Sequence, residues 1–133
     1  MSDVARILLY SSDRDVRGAV RLALGERIAS DLPNLEIIEV ATQPAVFLQL
    51  DAGGFDLAIL DGEASPAGGI GIAHQIKDEI ASPPPVLLLV ARVADAWLAT
   101  WSRAEAVAPL PVDPFKLPAQ VADLLRLSIA QGA

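Results

Sequence analysis

The stretch from Ile7 to Arg17, ILLYSSDRDVR, combines two structural signals. Its first four residues are apolar in succession, which is typical of a strand that is covered on both faces. The polar residues that follow favour a helix start, because Ser12 can cap a helix and Asp15 lies three positions on, as in a capping box. The stretch therefore predicts a buried strand that leads directly into a helix capped by Ser12.

The same alternation of strand and helix recurs along the chain. Apolar runs are separated by segments with helical spacing, and three of the runs (ILLY, LAIL and VLLLV) are apolar on consecutive positions. Strands that alternate with helices form a parallel sheet, and right-handed crossovers place the helices on both of its faces. The sequence thus predicts an α/β fold, a doubly wound five-stranded parallel sheet, with strands at Ala5–Tyr10, Leu35–Ala41, Asp56–Leu60, Val86–Ala91 and Ala106–Val112.

Turn and cap residues set the expected helices. The second helix should begin near Thr42 and stop at Gly53. We expect the third to start after Gly68-Gly69, the fourth to cover Ala94–Ala104, and the last to follow Pro118.

Two prolines in the fifth strand predict the strand order. Pro109 and Pro111 both lack an N–H, and residues two apart in a strand direct their N–H groups to the same side. Both positions that lack an N–H can therefore face an open edge of the sheet, while Leu110 and Val112 pair with the neighbouring strand. A fifth strand at the edge fits the flavodoxin-like (βα)5 order 2-1-3-4-5.

Length and composition narrow the functional classes. A chain of 133 residues with a net charge of −7 is the size of one domain, and scattered basic residues disfavour nucleic acid as a partner. Cysteine is absent and histidine occurs once, which excludes thiolate chemistry and histidine clusters. No apolar run is long enough to span or target a membrane. We expect a single cytoplasmic domain over residues 1–133, without an output domain.

Polar residues follow the predicted strands where sites of doubly wound sheets lie. They include Ser11 and Ser12 after the first strand, Asp61 after the third and Asp113 after the fifth. Two interpretations of Asp61 remain open at this point, a loop residue that caps nearby N–H groups and a nucleophile or ligand. No base, nucleophile and oxyanion donors occur together, so an enzyme is the least favoured class.

The chain resembles the receiver domain of bacterial response regulators over nearly its whole length. ILLYSSDRDVR resembles the first strand, acidic pair and following arginine of that family, and EVATQPAVFLQLDAGGFDLAILD resembles the second strand through the phosphoacceptor aspartate. PPVLLLVAR and LPVDPF resemble its fourth and fifth strands. The resemblance implies a role in two-component signalling or a phosphorelay.

The same resemblance assigns Asp61 to the phosphoacceptor position and marks the surrounding pocket as degenerate. Ser11 and Ser12 stand where the family has the acidic pair that holds Mg²⁺, Val90 stands where it has a hydroxyl, and Asp113 stands where it has a lysine. Serine hydroxyls are poor Mg²⁺ ligands, so we expect at most weak binding and no cofactor. A carboxylate about 4 Å from a phosphoryl charge costs from about 1 to 4 kcal/mol. We therefore expect inefficient Mg²⁺-dependent phosphorylation.

The resemblance also predicts the backbone near Asp113. The lysine–proline peptide of the family is usually cis, so Asp113–Pro114 should be cis and direct Asp113 toward Asp61. Two close carboxylates would then raise one another's pKa.

Two tryptophans on the predicted fourth helix indicate how such a domain could act. Trp97 and Trp101 are four residues apart and share a helix face, which is typical of core packing or of a partner surface. In receiver domains the fourth helix, fifth strand and fifth helix commonly form the signalling or dimer face. We expect output through protein contacts with a sensor kinase, another regulator or a second copy. The alternatives are a phosphorylation-competent regulator that uses Asp61 and a small-ligand binder of flavodoxin-like fold.

Overall fold

The computed structural model describes residues 3–92 and 97–132. Strands and helices alternate along the chain, as the sequence predicts. The strands are β1 (Val4–Tyr10), β2 (Asn34–Val40), β3 (Leu57–Asp61), β4 (Val86–Val90) and β5 (Ala106–Pro109). The helices are α1 (Arg14–Leu24), α2 (Gln43–Ala52), α3 (Gly69–Glu79), α4 (Trp97–Ser102) and α5 (Lys116–Gly132). The start predicted for the fourth helix, Ala94, lies outside the described residues.

The five strands form one parallel sheet in the order β2-β1-β3-β4-β5, which confirms the predicted topology. All residues of β3 and β4 are buried, so the consecutive apolar runs reflect strands covered on both faces. Alternate residues of β1 enter opposite cores: Ile7 and Leu9 pack with α1 and α5, and Leu8 and Tyr10 pack with α2 and α3. No helix among residues 3–92 and 97–132 is long and apolar enough to cross a membrane.

The edge position of β5 follows from its prolines. β5 pairs only with β4 among the described strands, and the N–H of Leu110 donates to the Val90 carbonyl at 2.9 Å, as the inward pairing predicts. The strand ends at Pro109, however, and not at the predicted Val112. Pro111 has no N–H to continue the ladder, which shortens the strand.

The starts of α2 and α3 agree with the predictions, whereas α5 begins at Lys116 and so includes Pro118, after which it was predicted to start. The Thr42 side chain caps α2, and α2 ends at Gly53, whose φ of 79° lies in the left-handed region that favours glycine. α3 begins at Gly69, directly after its N-cap Gly68. The cap predicted for Ser12 is wrong, because Asp13 occupies the N-cap of α1 and accepts from the N–H of Asp15 at 2.8 Å. Aspartate is as good an N-cap as serine, and here it is one residue closer to the helix.

Candidate functional site: the carboxyl ends of β1, β3 and β4

Asp61 is the last residue of β3 and the centre of the candidate site. Its side chain is only 3% exposed. The Ser11 hydroxyl donates to Oδ2 at 2.7 Å, and the N–H of Glu63 donates to Oδ1 at 2.8 Å. A buried carboxylate is costly unless its oxygens are hydrogen-bonded, and here both oxygens have a partner. The carboxylate is thus held in one orientation by two different loops.

Ser11 is fully buried and its hydroxyl links the first loop to Asp61. The same oxygen accepts from the N–H of Asp13 at 3.0 Å, so it has both a donor and an acceptor role. The sequence analysis placed Ser11 beside the site but did not predict its bond to Asp61. The parallel register contains the missing signal: Tyr10 pairs with Leu60, so the next residue of each strand meets its counterpart.

Ser12 belongs to the same loop but contacts a different partner. Its hydroxyl oxygen accepts from the N–H of Ser65 at 3.0 Å. Ser65 lies in the loop between β3 and α3, so this bond connects the segment after β1 to the segment after β3. Ser12 is therefore a bridge between two loops, and the helix-capping function falls to Asp13.

The end of β4 contributes an apolar residue and one backbone donor. Val90 is 4% exposed, and its side chain packs in the core beneath α2 and α3. The N–H of the next residue, Ala91, donates to Oε2 of Glu63 at 3.4 Å. Glu63 thus spans from the loop after β3 to the end of β4, a contact that sequence reasoning did not predict because it depends on side-chain direction.

Asp113 lies after β5, but its carboxylate has a local function. Oδ1 accepts from the N–H groups of Phe115 and Lys116 at 2.8 and 2.9 Å, at the start of α5. These backbone bonds, to Lys116 first and then Phe115, lower the pKa of Asp113. The prediction that a neighbouring Asp61 raises this pKa is therefore wrong.

The predicted cis peptide at Asp113 is also wrong. Among the described residues the cis bonds are Ser65–Pro66 and Leu110–Pro111, and Asp113–Pro114 is not one of them. The Asp113 carboxylate is directed to the N-terminus of α5 because the first N–H groups of a helix have no partner within the helix. Asp113 satisfies two of them.

Tyr10 is a site residue that the sequence analysis missed. It is the last residue of β1, it is 1% exposed, and its hydroxyl donates to the carbonyl of Ala67 in the loop before α3. Burial raises the pKa of Tyr10, and the negative charge of Asp61 raises it further. The phenol therefore stays protonated and remains a hydrogen-bond donor to the loop.

These residues do not fit a Mg²⁺ ion. Mg²⁺ requires near-octahedral oxygen ligation and is usually bound by one or two carboxylates. Among the residues that the structure describes, Asp61 is the one buried acid; the Ser11 hydroxyl donates to it, and the Ser12 oxygen accepts from the N–H of Ser65. Within residues 3–92 and 97–132, no group of three or more acidic or histidine side chains could hold a metal.

A second candidate surface lies on α4. Trp97 is 66% exposed and Trp101 is 52% exposed, so neither ring is buried in the core, which was one of the two interpretations left open by the sequence. The Trp101 ring stacks on His74 of α3 with centroids 4.2 Å apart and an interplanar angle of 34°. Asp78 pairs with both His74 and Arg103 beside this stack, and hydrogen bonding from Arg103 lowers the pKa of Asp78. Trp101 is therefore anchored to α3, and Trp97 is the more exposed ring.

Comparison with known proteins identifies the family. No protein-family model matches the chain. Response regulatory proteins from two strains of Mycobacterium tuberculosis are each 58% identical to it over 125 residues, which cover 94% of this chain and 94% of each relative. The chain belongs to the response regulators. As a response regulator it has a receiver domain, the module of two-component signalling that the sequence resembles.

Solved structures support the same fold for this response regulator. The signal receiver domain of a Luxo repressor protein from Vibrio parahaemolyticus matches with a TM-score of 0.81 and 18% identity, covering 96% of this chain and 95% of that one. A chemotaxis response regulator of Vibrio cholerae matches with a TM-score of 0.76 and 15% identity, covering 91% and 98%. The response regulator TrrA of Thermotoga maritima, solved with Mg²⁺–BeF, matches with a TM-score of 0.74 and 22% identity, covering 90% and 98%.

The response-regulator pocket contains some of the predicted site residues and not others. Ser11 and Asp61 form a direct hydrogen bond, and Val90 lies at the end of the adjacent strand. Asp113 directs its carboxylate to α5. Tyr10 and Glu63 join the pocket, although neither was predicted to take part.

Proposed function

We propose that this response regulator is an atypical receiver domain that signals through protein–protein contacts, without efficient Mg²⁺-dependent phosphorylation of Asp61. The observation that carries the proposal is the exposure of two tryptophans on one short helix, 66% for Trp97 and 52% for Trp101. Large aromatic rings dominate binding energies when a partner covers them. Phe115, one residue before α5, is also 85% exposed.

The pocket around Asp61 supports the second half of the proposal. Transfer of a phosphoryl group depends on neutralising its charge and on positioning it. Ser11 is neutral, Val90 offers no hydrogen bond, and both Asp61 oxygens already have donors. TrrA of Thermotoga maritima was solved with Mg²⁺–BeF. In this chain the side chains after β1 are serines, and they are engaged with Asp61 and Ser65.

The class of partner follows from charge and family. Receiver domains in two-component systems interact with kinases and other proteins, and we propose a sensor kinase or another regulator as the partner. A homodimer through α4, β5 and α5 is the second form of the same proposal. The net charge of −7 opposes binding to nucleic acid or to an anionic membrane surface. We place this activity in the cytoplasm and assign no enzymatic turnover and no cofactor.

A capture experiment with variants tests the proposal. The native chain is immobilised and proteins retained from the source lysate are quantified against Trp97→Ala and Asp61→Asn. We expect Trp97→Ala to release the specific partner and Asp61→Asn to retain it, because the ring makes the contact and the carboxylate is buried. Leu48→Ala is the matched control, since Leu48 is 72% exposed on α2.

The opposite pattern would favour the phosphorylation-competent alternative. If Asp61→Asn abolishes capture and Trp97→Ala leaves it unchanged, the contact proposal fails. Phosphate incorporation at Asp61 from a small phosphodonor with Mg²⁺, at a rate typical of signalling, would contradict its second half. This alternative is tested because Asp61 lies at the end of β3, the position that the phosphoacceptor resemblance assigns to it.

A further inference from the structure

The loop between β3 and α3, residues 62–68, begins and ends in close contact with the sheet. A Cβ atom on Gly62 would lie 2.7 Å from the carbonyl oxygen of Leu89, and one on Gly69 would lie 2.7 Å from the carbonyl oxygen of Asp61. Real Cβ atoms do not approach backbone oxygens so closely, so glycine is required at both ends. The loop is therefore seated directly on the carboxyl ends of β3 and β4.

Three side chains also fasten this loop. Tyr10 donates its hydroxyl to the Ala67 carbonyl, and Ser12 accepts from the N–H of Ser65 at 3.0 Å. On the other side, Glu63 accepts from the N–H of Ala91 at 3.4 Å. Because β3 lies between β1 and β4, the loop is fastened on both flanks of the strand that ends in Asp61.

The loop is fastened mainly by polar contacts and not by a large apolar surface. Ala64 is its one residue in the buried class, at 8% exposure, and Glu63, Ser65 and Pro66 are exposed. Opening the loop would therefore break a few hydrogen bonds and uncover little apolar area. Segments of this kind open locally at a small fraction of the free energy of global unfolding.

We propose that residues 62–68 form a strap that keeps the Asp61 carboxylate closed to reagents, and that local release of the strap controls access to Asp61. The Ser12–Ser65 bond and the Tyr10–Ala67 bond hold one flank, and the longer Glu63–Ala91 bond holds the other. This inference goes beyond the proposed function: it concerns access to Asp61 and does not depend on which surface contacts the partner.

Carboxyl labelling tests the strap on the native chain. A carbodiimide with glycine ethyl ester modifies accessible carboxylates, and peptide mass spectrometry gives the rate at each position. We expect Asp61 to be labelled much more slowly than Asp51, which is exposed on α2. Asp56, at the opposite end of β3, accepts from the N–H of Arg6 at 2.9 Å and reports opening elsewhere in the sheet.

Variants that remove single fastenings should accelerate labelling of Asp61 alone. Ser12→Ala removes one hydrogen bond and should raise the Asp61 rate about fivefold, the effect of one ordinary hydrogen bond on a local opening equilibrium. The double variant Ser12→Ala/Glu63→Ala should raise it further. Ser30→Ala and Glu26→Ala are the matched controls, because both residues are exposed and lie outside the strap.

Three results would overturn the strap. One is labelling of Asp61 in the native chain as fast as that of Asp51. Another is an unchanged Asp61 rate in both the single and the double variant, with circular dichroism confirming that they are folded. The third is a parallel rise at Asp61 and Asp56, since that would mean that the whole sheet opens and not the strap.

Discussion

The pocket around Asp61 and the surface of α4 differ in which kind of side chain they expose to solvent. Asp61 is 3% exposed with both oxygens hydrogen-bonded, whereas Trp97, a large apolar ring, is 66% exposed. A folded chain normally buries rings and exposes carboxylates. In this response regulator the carboxylate is therefore fixed at the end of the sheet, while the aromatic rings are exposed to solvent.

Substitution of each tryptophan by alanine should affect binding and stability differently. Trp97→Ala should weaken partner binding or self-association by about 2 kcal/mol or more, roughly thirtyfold in the dissociation constant, as truncation of a hot spot does. Its effect on the free energy of unfolding should be small because the ring is mostly exposed. Trp101→Ala should also cost about 0.5–1.5 kcal/mol of stability, because that ring stacks on His74.

Calorimetric titration with the captured partner and urea unfolding give the two quantities. His74→Ala is the matched control, since it removes the stack from α3 and leaves both rings present. If Trp97→Ala lowers stability as much as Trp101→Ala and leaves binding unchanged, Trp97 is a structural residue and the contrast between the two regions disappears.

The next effect concerns the pocket. Ser11→Ala removes the donor to Oδ2 of Asp61 inside a fully buried site. A buried acceptor that loses its partner costs about 1–3 kcal/mol, and more if it is charged, so we expect a loss of at least this size in the free energy of unfolding. Urea unfolding with an unchanged m-value measures it, and Ser30→Ala serves as the exposed control. A loss no larger than that of the control would mean that water replaces Ser11 without cost.

The Asp61 pocket and the α4 surface also show how far the sequence could predict the structure. The fold followed from local signals: consecutive apolar residues in β3 and β4, glycines at helix ends, and the prolines that place β5 at the edge. The position of Asp61 followed from the same pattern. Its partners did not, because the Ser11–Asp61 and Tyr10–Ala67 bonds join residues 50 and 57 positions apart. Such bonds depend on strand register and rotamer, which composition and periodicity do not encode.

Asp113 illustrates a different source of error. Its predicted direction came from a position in the family pattern, but a nearby helix N-terminus offered two unpaired N–H groups. Local capping outweighed the family correspondence because these donors are one to two residues beyond the proline and cost little chain entropy to reach. Short-range backbone partners should therefore be considered before a long-range electrostatic contact is assigned.

A smaller effect tests the Asp113 cap through pH. The pKa of Asp113 is lowered in the folded chain, so its ionised form adds stability above the pKa of the unfolded chain, and this contribution is lost as the pH falls through the lower folded value. Asp113→Asn keeps a capping side chain but does not titrate. The melting temperature of the native chain minus that of this variant should therefore decrease as the pH falls from about 5 to about 3.

Asp51→Asn is the control for that titration, because Asp51 lies in the last turn of α2 and caps no helix N-terminus. A native-minus-variant difference that stays constant across the acidic range for Asp113 would mean that the cap does not discriminate between the two protonation states. Asp113 is partly exposed, which keeps the effect small, and added salt should reduce its charge-dependent part.

We expect the native chain to respond least of all to Mg²⁺. Millimolar Mg²⁺ should leave Trp fluorescence and the amide chemical shifts around Asp61 nearly unchanged, because Asp61 is the one buried carboxylate in the described part of the chain and its oxygens accept from Ser11 and Glu63. Ser12→Asp sharpens the test by adding a second carboxylate at the more exposed of the two serines. That variant should gain a Mg²⁺-dependent rise in melting temperature, since an ion that binds only the folded state stabilises it by mass action. Saturation of the native chain at micromolar Mg²⁺ would instead mean that the pocket rearranges to accept the ion, and the contrast between a closed carboxylate and an open aromatic surface would no longer hold.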